Sequence, residues 1–79
     1  MTVNKPYQEL EIVAACLRQD GLEDIAEELL NAHKGIFSSL ELYYEWRFHL
    51  SKILQLKSIS DNTCIEARRV YELIDKELH

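Results

Sequence analysis

Glu45 and His49 stand one helical turn apart, and a carboxylate beside an imidazole is the simplest acid/base pair a helix can present. No nucleophile lies at a motif spacing from either, so the pair reads as a surface contact before it reads as catalysis. Glu27 and Glu28, or Glu41 and Glu45, resemble the carboxylate pairs of metal-binding bundles, but the Glu-x-x-His step such sites need is missing. Cys16 and Cys64 are 48 positions apart with no CxxC and no Cys/His ligand spacing. They are expected to be two reduced, mostly buried thiols. His33 and His79 are isolated, and no GxGxxG, P-loop, HExxH, GxSxG or EF-hand pattern occurs. The expectation is a protein without catalytic residues, metal or cofactor.

What remains is the chemistry of binding. Glu23, Asp24, Glu27 and Glu28 form an acidic helical face, which Glu41 and Glu45 would extend if the following helix packs alongside. No Lys or Arg interrupts that face, although like charges one turn apart destabilise a helix by a few tenths of a kcal/mol. The favourable dipole accounts for Glu23 and Asp24 alone. In the pair Tyr43-Tyr44, successive helical residues diverge by about 100°. If Tyr43 joins Trp46 and Leu50 inside, Tyr44 is turned outward beside Glu41 and Glu45, an aromatic hot spot with steering charges around it. Phe48 lies about 200° from Trp46, so a small bundle cannot readily bury both.

The elements that hold these residues follow from punctuation and periodicity. One Pro and two Gly in 79 residues mark helix boundaries. A first helix is predicted over 6–19, with Leu10, Val13, Ala14 and Leu17 inward and Gly21 as its left-handed cap. A second starts at once, with Asp20 and Glu23 spaced like a capping box, the stripe Leu22, Ile25, Ala26, Leu29 and Leu30, and Gly35 as its stop. Ser38 caps a third, running to about 56, with Phe37 packing on Leu42 as a staple. Its wide apolar surface marks it as the central helix. Ser60 or Asp61 caps a fourth, whose seam is Cys64, Ala67, Tyr71, Ile74 and Leu78. Short loops make sequential neighbours antiparallel, giving an all-α, compact antiparallel four-helix bundle as a single domain over 1–79.

Composition limits the function. At 47% hydrophobic and 29% charged the chain is of ordinary globular character, and a chain this short has little room for both a core and a deep substrate cleft. The net charge of −5 is concentrated, with −6 over residues 1–45 and +1 beyond. Such a chain repels a phosphate backbone, which argues against nucleic acid. A DNA-reading helix-turn-helix, the third-ranked function, would open its recognition helix with Ser39, Leu40 and Glu41 and carry Glu45, where base contacts need cations or amides. Residues 1–9 show no signal-peptide pattern and no stretch approaches 18 apolar residues, so a cytoplasmic protein with no membrane partner is expected.

The acidic second helix and the Tyr43-Tyr44 pair among carboxylates resemble the bacterial immunity proteins that neutralise basic nuclease toxins of the colicin type. The stretch 27–54 is also similar to small uncharacterised bacterial helical proteins, which implies no function. The immunity resemblance implies a basic protein partner, possession of which would make the chain an immunity or antitoxin-like module. Its binding residues would be Glu23, Asp24, Glu27, Glu28, Glu41, Tyr44 and Glu45. The alternative is a self-assembling structural protein, a homodimer whose seam includes Phe48.

Overall fold

The computed structural model describes residues 4–79, with side chains from Tyr7 onward. Four α-helices and no strand occur among the described residues: α1 (Asn4–Gln19), α2 (Glu23–Asn31), α3 (Ser39–Leu54) and α4 (Asp61–Glu77). The expected all-α antiparallel bundle is the architecture found.

The α1 stop is a Schellman motif. Gly21 has φ +81°, its N–H reaches the Arg18 carbonyl, and the Leu22 N–H reaches back to Leu17. A side chain with a Cβ disfavours that φ, so the position selects glycine. The stop of α2 differs from expectation: the helix ends at Asn31, and Gly35, at φ +79°, closes a turn beyond it. Ser38 caps α3 by accepting from the Glu41 N–H at 3.4 Å, but Phe37 is 99% exposed and forms no staple on Leu42. Ser60 caps α4, accepting from the Thr63 N–H at 3.2 Å.

Asp20 does not cap α2. The N-cap position of that helix is Leu22, without a side-chain bond. Instead the Asp20 carboxylate crosses to the start of α4, where it accepts from the Ser60 N–H at 2.9 Å and the Thr63 hydroxyl at 2.6 Å. With its proton committed to Asp20, Thr63 Oγ1 accepts from the Ser60 hydroxyl at 3.0 Å, so fully buried Thr63 is satisfied. A second tie joins the same two helices further along, where Arg69 bonds Glu9 of α1 at 2.6 Å and Glu66 at 2.7 Å. Residue 20 meets 60 and 63 while residue 9 meets 69, which makes α1 and α4 antiparallel.

Around that pair, α2 lies against α1 and α3 against α4, whereas α2 and α3 scarcely touch. The bundle therefore has three closed edges and one open edge. The core is Leu10, Val13, Ala14 and Leu17 of α1, Ala26 and Leu29 of α2, Tyr43, Trp46, Leu50 and Ile53 of α3, and Ala67, Val70 and Ile74 of α4. Two expectations change here. The inner line of α4 is Thr63, Ala67, Val70 and Ile74, while Cys64, Tyr71 and Leu78 are half-buried on its flank. The central pair is α1 and α4, and α3 buries only one stripe of its wide apolar surface.

Trp46 fills the middle of the core against Tyr43 and Tyr7, with ring centroids 5.8 and 6.3 Å away. Its indole Nε1–H is buried without a hydrogen-bond partner among the described residues. Trp46→Ala should cost about 3–5 kcal/mol by cavity formation. Trp46→Phe, which also removes the unsatisfied donor, should cost markedly less, and urea unfolding compares the two.

The two hydrogen bonds from Ser60 and Thr63 hold the Asp20 carboxyl below its usual range, the Ser60 backbone N–H contributing most. A depressed folded value means stabilisation that is full above the unfolded value of about 3.9 and is lost as pH falls through the folded one. Asp20→Asn should therefore be less stable than the parent at neutral pH, with a gap in urea midpoint that closes below about pH 4. A gap of the same size in acid would mean the carboxylate charge contributes nothing.

Candidate functional site

The acidic flank exists because α2 turns its apolar residues toward α1. Ala26 and Leu29 are buried and Ile25 half-buried, so Glu23, Asp24, Glu27 and Glu28 are left exposed. Within α2 no cation interrupts them, but the fold brings one from α1: Arg18 Nε lies 2.9 Å from Glu23. Asp24, Glu27 and Glu28 make no ion pair with any described residue.

Glu28 stands on the open edge between α2 and α3. There a cleft of about 420 Å³ is lined by Ile25, Glu28, His49, Lys52, Ile53 and Leu56, with Gln55 at its end. Apolar side chains contribute its floor and polar heads its rim, the composition of a site for an amphipathic side chain or segment. His49 is largely buried and sits 3.3 Å from Glu45, which is not itself among the residues lining the cleft. The pair has no hydroxyl or thiol hydrogen-bonded to it among the described residues, and it orders the rim.

The anticipated single surface divides into two. Of the acidic residues Glu28 alone lines the open edge, with Asp24 and Glu27 exposed on the same helix and Glu45 joined to it only through His49. Tyr44 lies on the other flank of α3, where Tyr44, Arg47, Phe48 and Ser51 meet Tyr71 of α4 around a shallow depression. The Arg47 guanidinium covers the Tyr44 ring at 5.2 Å and pairs with Asp75, while the Lys52 ammonium lies 5.3 Å from the Phe48 ring centre. Glu41, in the first turn of α3, is exposed and makes no ion pair with any described residue. Because α2 and α3 scarcely touch, Glu41 is not drawn into a continuous acidic sheet with α2.

Sequence reasoning missed Ile25, Lys52 and Leu56 as cleft residues. Ile25 sits between Asp24 and Ala26 in a stripe that looks wholly internal, and only the missing α2–α3 contact reveals that its flank is open. Lys52 carried no motif. Among the described residues no three His, Cys, Asp or Glu converge as metal ligands, and no helix is long and apolar enough to cross a membrane. Comparison with protein-family models, with curated proteins and with solved structures finds no significant match.

Both cysteines are free thiols. Cys16 is buried, with the Asn62 amide 3.5 Å from its sulfur, and burial, then the charges of Glu66 and Asp20, push its thiol up from the ordinary value. Cys64 is only half-buried. Alkylation at mildly alkaline pH should therefore modify Cys64 at least about tenfold faster than Cys16, because the thiolate is the reacting form and Cys16 is both hindered and held protonated. Peptide mapping over a time course measures the two rates, and equal rates would mean that the α1–α4 seam opens freely.

Proposed function

We propose that the chain is a protein-binding module that acts by occupancy, taking a basic, partly apolar segment of another protein along the α2 flank and into the open α2–α3 edge. Carboxylates at Asp24, Glu27 and Glu28 pair with Lys and Arg of the partner, and an apolar side chain of the same segment enters over Ile25, Ile53 and Leu56. Glu23 remains engaged by Arg18, and Glu45 holds His49 at the rim. The observation that carries this reading is an apolar-floored cleft lined by the unpaired Glu28, with the unpaired Asp24 and Glu27 exposed on the same short helix. Charge then steers the approach and the cleft supplies contact area.

The most concrete version is a bacterial immunity or antitoxin-like protein that covers a basic toxin, in keeping with the net charge of −5 and its concentration in the first 45 residues. A cytoplasmic setting suits the two free thiols. Tyr44 and Glu41 lie outside this surface.

Exposed ion pairs are screened over a Debye length of about 10 Å at 0.1 M salt, so association should slow strongly as salt rises. Capture from native lysate should recover a basic chain at low salt and lose it at high salt. The triple variant Asp24→Lys/Glu27→Lys/Glu28→Lys, on exposed positions, should reduce that capture at least about tenfold. Recovery of the same chain by the triple variant, or of no basic chain at either salt, would overturn the assignment.

A further inference from the structure

The outward side of α3 carries a second, different surface. Leu40, Tyr44 and Phe48 follow one another at four-residue steps along α3 and are 57%, 48% and 56% exposed, and Phe37, just before the extended Ser38 N-cap at the Leu40 end, is 99% exposed. This line is directed away from the buried stripe of Tyr43, Trp46, Leu50 and Ile53, so the bundle leaves about half or more of each side chain exposed, with Tyr71 of α4 beside Tyr44 and Phe48. With aromatic side chains of about 150–250 Å² each, these fractions leave roughly 500 Å² of apolar surface. That is near the upper end of what a monomer carries, about 300–600 Å², and such patches mark interaction sites.

We propose that this face is a homodimer interface, in which two copies of α3 pack antiparallel around a two-fold axis midway between Tyr44 and Phe48. Two observations identify a second copy as the occupant. The first is area: two patches of roughly 500 Å² bury about 1,000 Å² in total, the size at which specific interfaces begin.

The second is charge. Glu41 and Lys52 are exposed, have opposite sign, and make no ion pair with any described residue. They are eleven residues apart, which is three helical turns and leaves them within about 20° of each other, on one flank of the stripe. An antiparallel two-fold keeps each flank opposite itself and reverses its direction. Centred at the level of Trp46, it sets Tyr44 against the partner's Phe48 and brings Glu41 within one residue of the level of the partner's Lys52. The same operator repeats the pair at the other end, as an isologous contact requires. A strongly basic or strongly acidic partner would meet a like charge at one end of this stripe.

Sedimentation equilibrium of the full chain should give twice the 9.3 kDa monomer mass at about 50 µM, and Phe48→Glu should give the monomer with unchanged far-UV helicity. Glu41→Lys and Lys52→Glu should each weaken the dimer about three- to tenfold, through lost attraction and new repulsion between copies. The double variant Glu41→Lys/Lys52→Glu should restore it, because the swapped charges meet again across the axis. A monomer at that concentration, or a double variant weaker than either single one, would overturn the proposal. The α2 triple variant should remain dimeric, which separates failure here from failure of the partner-binding surface.

Discussion

The antiparallel pair of α1 and α4 is the member on which the rest of the molecule hangs. Both helices bury small and branched side chains, Ala14 and Val13 on one and Ala67 and Val70 on the other, which lets two backbones approach closely. Polar ties then fix register at two levels, Asp20 with Ser60 and Thr63 near one end and Arg69 with Glu9 and Glu66 further along. Asp20 is 40 and 43 positions from Ser60 and Thr63, and Glu9 is 60 from Arg69, so neither cross-link forms until the chain has closed. Arg69 is held more firmly charged by the bonds it donates to Glu66 and Glu9, which is the sign expected of a cation between two carboxylates.

Once that pair is set, the other two helices have unequal opportunities. A nine-residue α2 spans about 13 Å and a sixteen-residue α3 about 24 Å, so α2 cannot run the length of its neighbour. It buries Ala26 and Leu29 against α1 and leaves its acidic flank free. α3 commits Tyr43, Trp46, Leu50 and Ile53 to the core but has apolar side chains over most of its circumference. The open cleft and the exposed aromatic line are thus two consequences of one shortage: there is more apolar helix surface than three neighbours can cover.

Much of this was legible locally. Ser38 and Ser60 as N-caps, Gly21 as a left-handed stop and the inner stripe of α1 depend on residues within one or two turns, which a sequence displays directly. The failures share a different cause. Asp20 stands three residues before Glu23, as in a capping box, yet its carboxylate bonds Thr63, 43 positions away; a good acceptor advertises capping without specifying which helix it caps. The α4 seam was displaced because Cys64 and Tyr71 fit a heptad as well as Thr63 and Val70 do, and a buried threonine is credible only when its partner is known. The breadth of the α3 stripe suggested a central helix, but apolar width records what a helix could bury and not what its neighbours cover. Arg18 likewise reaches Glu23 only because a Schellman turn folds α1 back beside α2. For the site, the acidic residues were visible and the cleft was not, since the cleft is made by a contact that α2 and α3 fail to form.

The two surfaces are adjacent, and His49 and Lys52 belong to both. His49 packs edge-on to the Phe48 ring at 5.7 Å while lining the cleft, and Lys52, its ammonium 5.3 Å from the centre of that same ring, lines the cleft as well. The Phe48 ring and the α2–α3 cleft thus share two side chains, because both lie on one helix whose apolar surface is wider than its neighbours cover.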